Sequence, residues 1–385
     1  MSGARTALVI GGGVGGLVVA NRLARRLPSG DHVILVDREA RPVFQPSLLW
    51  VAVGARAPEA IRRPLTRLAH QRVDVRVGAV EAIDARGRAA TVGGQTIAAD
   101  ALVIALGADL APELVPGLAD AGYNLYDLAG AAAFADALAR FRGGRLVVLT
   151  ATPAYKCPAA PYEAALLIES AMRARGTRPK TQLELYAAEP APMAVAGPDV
   201  SDAVRAMVVT RGIGYHPGHQ VTMVDAAARR LTFANGATAA FDLLVFVPPH
   251  RAPAVVRDAG LVADSGWMAA DRHTFQTAAA GVYAVGDVTS IPLAMGKRLP
   301  KAGVFARAAA EVVADTLVAT WTGRGAPRAF DGHGACFVET GDGRAGFGSG
   351  NFYAEPVPRV LLRTPARWWH WGKVLLERRW LSGRA

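Results

Sequence analysis

The sequence predicts an α/β fold: two Rossmann-like dinucleotide-binding domains, the second degenerate, followed by a C-terminal membrane-facing region. Three observations predict it. A short apolar run at residues 7–10 leads into Gly11-x-Gly13-x-x-Gly16 and then a helical pattern over residues 17–27. A second strand-and-turn unit follows at mid-chain, residues 145–149 and then 150–157, with no glycine in the turn. From Arg359 onward the tail holds four of the seven tryptophans, and seven Lys and Arg residues against one acid, Glu377.

In the first unit Gly11 permits the tight turn, Gly13 lets the backbone approach a pyrophosphate, and Gly16 lets helix and strand pack closely. The pyrophosphate then sits on the helix N-terminus, where free N–H groups favour anions. Residues 32–36 form the next strand and end at Asp37, placed for ribose hydroxyls and unsuited to a 2′-phosphate. Two later strands, residues 101–107 closing on Gly107 and residues 281–287 closing on Gly286-Asp287, match the downstream motifs of FAD-dependent two-dinucleotide-domain oxidoreductases. They favour flavin over nicotinamide. In the second unit Pro153 and Tyr155 would crowd a pyrophosphate, so NAD(P)H is not expected to bind there. Glu189 stands where a ribose-binding acid would, but without a phosphate loop.

The 385 residues suffice for two or three domains. The expected division is a first domain of residues 1–110 and 266–325, an inserted second domain of residues 111–265, and a tail of residues 326–385. A net charge of +11 favours acidic partners. The basic residues accompany no nucleic-acid motif, so nucleic acid is not an expected partner. The N-terminus shows no signal peptide, and no apolar run reaches the roughly 18–20 residues needed for a span. The expected location is therefore peripheral, on a bacterial-type cytoplasmic membrane. No metal site is expected.

The chain has only two cysteines, Cys157 and Cys336. A structural disulfide is not expected in a cytoplasmic protein, which leaves two inert thiols or a redox pair. Cys157 precedes a helix over residues 161–175. The helix N-terminus and Lys156 are both expected to stabilise its thiolate. Glu163, in the first turn, either complements the helix dipole or acts as a general base. Cys336 lies among Gly332, Gly334 and Gly341, which suggests backbone approaching a flat ring. Residues 365–381 can form a helix carrying Trp368, Trp371, Val374, Leu375 and Leu381, with Arg367, Lys373 and Arg378 among them. That helix reads as an interfacial anchor on anionic lipid, or as a helix packed on the core or on a second copy in a homo-oligomer.

The segment Lys156-Cys157-Pro-x-Ala-Pro161-Tyr-Glu163, with Gly334-Ala-Cys336-Phe337, resembles the sulfide:quinone oxidoreductases and the related flavin subunit of flavocytochrome c sulfide dehydrogenase. The loop Phe44-Gln-Pro46-Ser47, the segment Leu299-Pro300-Lys301-Ala-Gly303 and the tail His370-Trp-Gly-Lys373 extend the likeness over residues 6–381. The resemblance implies hydrogen sulfide as donor and membrane quinone as acceptor, with Cys157, Cys336 and Glu163 catalytic. It implies FAD held by Gly11, Gly13, Gly16, Asp37, Arg38, Pro46, Ser47, Val80, Gly107, Gly286, Asp287, Lys301 and Gly303. The family's frequent third cysteine is missing, so FAD is expected to be non-covalent. The alternatives are a flavoprotein passing electrons to a cytochrome or other acceptor, and a membrane-attached flavin sensor without turnover.

Overall fold

Two five-stranded parallel sheets organise the chain, a computed structural model that describes residues 3–383. In the first, the strand order is Val282–Ala284, Ala101–Ile104, Thr6–Ile10, His32–Asp37, Val73–Val77. These strands are apolar almost throughout, because both faces are covered, one by helices and the other by Ile83, Ala90 and Ile97. The register pairs Ile10 with Val36 on one side and with Ile104 on the other. Helices Val14–Arg26 and Gly303–Thr322 pack together on one face, around Leu23, Val313 and Leu317.

The second sheet repeats the pattern with the order Gly214–His216, Thr181–Tyr186, Gly144–Thr150, Leu243–Val247, Tyr123–Asn124. Its core packs Val148, Leu183 and Val245 against Tyr162, Leu166 and Phe134. Each half also carries a small antiparallel meander, inserted before the strand Ala101–Ile104 in the first half and before the strand Leu243–Val247 in the second. These span Val80–Asp84 to Gln95–Ala98 in the first half, and Val221–Asp225 to Thr238–Ala240 in the second. The chain crosses between halves on a two-stranded ribbon that pairs Leu110 with His250.

The tail forms a three-stranded antiparallel sheet, His333–Gly341, Arg344–Asn351 and Arg359–Ala366, and then the helix Arg367–Leu381. This sheet packs on the helix Ala160–Ala174 of the second half, and the tail helix folds back over the sheet. The tail therefore closes the cleft between the two halves.

Candidate active site

The N-terminal turn is shaped for a phosphate group. Gly11 is left-handed at φ +104°, and a side chain there would strike the carbonyl of Ala105. A side chain at Gly16 would run into the carbonyl of Gly11. Gly13 is different: no atom approaches its Cβ position within 4 Å. Gly13 caps the helix Val14–Arg26, which has no side-chain cap and no acid in its first turn. Its free N–H groups thus face open space. Asp37 accepts the N–H of Gly12, and that of Glu39 at 2.6 Å. Burial raises its carboxyl above the usual range.

The other expected cofactor positions spread from this turn. Gly107 and Gly286 are both left-handed, at φ +72° and +78°. Asp287 is pushed up by burial, against the opposing pull of Lys156 and Lys301. The Lys301 ammonium donates to the carbonyls of Asp287 and Thr289 at 2.7 Å and lies 3.4 Å over the Trp267 ring. Gly303 opens the second uncapped helix. A groove lined by Gly286, Thr289, Ile291, Lys301, Phe305 and Ala306 runs beside it. Val80 is half-buried, while Arg38 and Pro46 are exposed. Ser47 does not face open space: it is fully buried and donates to Glu377 of the tail at 2.7 Å. Two open helix N-termini, a half-buried acid and two left-handed glycines fit a dinucleotide.

Cys157 and Cys336 are free thiols, and both feel the charge of Glu163. Cys157 holds a left-handed backbone at φ +51°, an uncommon state for a side-chain-bearing residue and one that clusters at functional sites. Its N–H donates to the Lys301 carbonyl at 2.6 Å, and its own carbonyl accepts from Ala160 at 2.9 Å. Both contacts fix the turn that starts the helix Ala160–Ala174. Cys336 sits opposite Gly348 in the tail sheet.

The expected thiolate stabilisation is not found. Burial, and then the neighbouring Glu163, push the Cys157 thiol well above its ordinary range. Burial and Glu163 likewise raise Cys336, to about 11, although Lys373 pulls it down. The Lys156 ammonium lies instead 5.8 Å over the Tyr126 ring. The glycines around Cys336 do not flank an open plane either. Side chains at Gly332, Gly334 and Gly341 would strike Tyr353, Phe305 and Ser170, so these glycines admit the protein's own side chains.

Glu163 is buried, and one of its oxygens accepts from the Lys373 ammonium at 2.8 Å and from the Glu339 N–H at 2.7 Å. Glu163 thus pairs with Lys373 while standing in the first turn of the helix Ala160–Ala174. Burial pulls Lys373 down, but Glu163 and Glu339 outweigh it and hold the ammonium above its ordinary range. His370 Nδ1 reaches the buried Glu339 carboxylate at 3.0 Å. Lys373 is therefore not a lipid-facing base, as the sequence suggested, but part of the buried centre.

The tail helix divides its two faces sharply. Lys373, Val374, Glu377 and Trp380 are buried. Trp380 packs on Phe44 at 5.0 Å, and Glu377 takes Arg56 at 3.1 Å. Trp50 receives Arg56 and Lys373 over its ring at 4.6 and 5.1 Å. Gly372 lets the helix approach Phe337, beside Cys336, since a Cβ there would come within 2.9 Å of its ring. The opposite face leaves Trp368 and Trp371 68% and 63% exposed, with Leu375 beside them.

The loop after the strand Gly144–Thr150 is filled from within. Glu189 is buried and accepts from Tyr155, from Tyr162 at 2.7 Å and from Thr150 at 2.8 Å. It is no ribose ligand here: the tyrosines occupy the place of a phosphate loop. Sequence reasoning missed Glu339 and Tyr126, named His370 without a role, and misplaced Lys373. A signal existed: His370, Lys373, Glu377 and Trp380 recur at helical spacing and share one face.

Two stacked dinucleotide folds with an open N-terminal cradle and a closed cysteine centre define a flavin-dependent oxidoreductase. The family model described as pyridine nucleotide-disulphide oxidoreductase matches residues 5–310, and the chain belongs to that family. Narrower likenesses follow. It is 27% identical to the sulfide-quinone reductase of Aquifex aeolicus over 402 residues, 98% of this chain and 90% of that protein. It is 26% identical to the mitochondrial sulfide:quinone oxidoreductase of Mus musculus over 368 residues, 91% of this chain and 79% of that protein. The crystal structure of the Aquifex aeolicus sulfide:quinone oxidoreductase superposes with a TM-score of 0.87 at 25% identity, covering 99% of this chain and 92% of that one. These relatives are sulfide:quinone oxidoreductases.

Proposed function

We propose that this enzyme oxidises hydrogen sulfide and passes the electrons to a membrane quinone, through a redox pair formed by Cys157 and Cys336. The observation that carries the reading is the buried Glu163–Lys373 pair beside both thiols. In the oxidised state the two sulfurs share a bond. Hydrosulfide attacks one sulfur, which becomes a persulfide, and the other leaves as a thiolate. Lys373 favours that thiolate at Cys336. Glu163 takes the proton of the attacking sulfur, with Lys373 holding its charge. FAD, bound non-covalently, would supply the two-electron acceptor that lets the persulfide and the thiolate rejoin as an oxidised sulfur bridge, and would relay that pair to quinone. Gly11, Gly13, Gly16, Asp37, Gly107, Gly286, Asp287, Lys301 and Gly303 would hold the FAD. Sulfide added without oxygen should bleach the flavin absorbance, and NADH should not. Bleaching by NADH at enzymatic rates, with sulfide inert, would overturn the reading.

A lipid-soluble acceptor is favoured over a cytochrome by the outer face of the tail helix. Trp368, Trp371 and Leu375 are exposed there, and Arg367, Arg378 and Arg379 are exposed on the same helix. Tryptophans enter a headgroup boundary while basic residues hold anionic lipid. Among the described residues, no helix is long and apolar enough to cross a membrane. Removing the whole tail would also remove Lys373 and Trp380, so point changes are the cleaner test. The variant Trp368→Ser/Trp371→Ser/Leu375→Ser should bind anionic liposomes at least about tenfold more weakly, as the loss of three apolar contacts implies. It should still be bleached by sulfide. Liposome co-sedimentation at low and high salt checks this, and unchanged partitioning would return this face to a protein contact.

A further inference from the structure

One half-buried group near the cysteine turn takes no part in the chemistry above. His250 lies on the ribbon that crosses between the halves. Its Nδ1 meets the Pro248 carbonyl at 2.8 Å. A carbonyl can only accept, so Nδ1 carries the proton and Nε2 presents a lone pair. That Nε2 is buried and has no hydrogen-bond partner. A buried polar atom left without a partner is costly and calls for a reason.

Its surroundings supply one. The ring stands edge-on to Tyr126 at 5.3 Å. The Tyr126 hydroxyl donates to the carbonyl of Lys156 at 2.8 Å and lies 3.3 Å from that of Cys157. The imidazole is thus one aromatic ring away from the backbone of the cysteine turn. Burial, and then the nearby Lys156 and Lys301 ammoniums, hold the imidazole down to about 3, so it stays neutral. Lys156 is itself buried, with Asp287, Cys157 and Asp109 as its electrostatic neighbours. Burial lowers the Lys156 ammonium while Asp287, Cys157 and Asp109 draw it up, and it stands near an unused acceptor.

A small soft anion that still carries one S–H proton matches both features. We propose that His250 and Lys156 form the binding pocket for hydrosulfide, or the terminal S–H of a hydropolysulfide, beside Cys157. Lys156 balances the anion's charge, and His250 Nε2 accepts its S–H. Tyr126 sets the spacing by holding the ring and the cysteine turn together. His250 is thus a substrate-positioning residue. The proposal rests on the sulfide-oxidising reading above.

The test follows anaerobic flavin reduction by sulfide in stopped flow, using the full chain with flavin bound. His250→Phe keeps a ring against Tyr126 and removes the acceptor. It should raise the half-saturating sulfide concentration about tenfold, the usual worth of one hydrogen bond, and change the limiting rate much less. His250→Gln, which restores an acceptor at the Nε2 position, should recover most of that loss. Lys156→Met should raise the half-saturating concentration by itself. Unchanged half-saturation in both His250→Phe and Lys156→Met would overturn the pocket while leaving the function intact. A loss in His250→Phe that His250→Gln does not relieve would also overturn it. A wild-type flavin indifferent to sulfide would instead remove the reading beneath it. Flavin content of each variant shows that the fold survives. If His250→Phe loses its flavin, the comparison of wild type, His250→Gln and Lys156→Met decides.

Discussion

Replacing either cysteine with serine should abolish sulfide-dependent quinone reduction while leaving a yellow, folded flavoprotein. The expected loss for Cys157→Ser or Cys336→Ser is on the order of 10³-fold or more, as for other essential nucleophiles. Neither sulfur is needed for the cradle built from Gly11, Gly13, Gly16 and Asp37. A serine cannot form the bridge that sulfide attacks, so each single variant should behave like the double. Steady-state turnover with a soluble quinone analogue, beside the flavin spectrum, measures this. Near-normal turnover in both single variants would make the cysteines bystanders.

Lys373→Met should produce the largest loss of stability of any single tail substitution. It leaves Glu163 charged, buried and without its cation. Breaking one side of a buried pair costs about 3–5 kcal/mol. The double variant Lys373→Met/Glu163→Gln should recover a large part of that cost, because no buried charge is left unpaired at this position. Denaturant unfolding of the four proteins in the cycle gives the coupling directly. Equal destabilisation in the single and double variants would show that Lys373 matters through packing alone. The variant should also slow turnover, since Cys336 loses the cation that favours its thiolate.

The first dinucleotide cradle was legible because its requirements are local. A turn that places Gly16 against the Gly11 carbonyl, with Asp37 at the next strand end, involves fewer than thirty consecutive residues. The absence of glycine from residues 150–156 was equally readable. The fate of that loop was not, because Thr150, Tyr155 and Tyr162 meet Glu189 only after the strands align. The tail shows the same limit more sharply. Its composition pointed to lipid, and its outer face leaves Trp368 and Trp371 exposed. Yet Lys373 reaches a carboxylate 210 positions earlier in the chain, and Ser47 meets Glu377 across 330. Charge count could not tell a buried cation from a solvated one. Nor could the basic neighbour and helix start at Cys157 predict its thiol. Desolvation and Glu163 outweigh both.

The hydroxyl cluster around Glu189 also bears on how such a chain changes over generations. Three donors meet one buried carboxylate, so their effects are not independent. Losing any one of them leaves the charge short of a partner, and replacing Glu189 leaves three hydroxyls with none. Every single step from this loop back towards a glycine-rich phosphate loop therefore goes through a less stable intermediate. A return needs several coordinated substitutions, while drift within the present arrangement needs none. The packing works as a ratchet: with Tyr155 and Tyr162 closed on Glu189, a glycine-rich phosphate loop is expensive to reach.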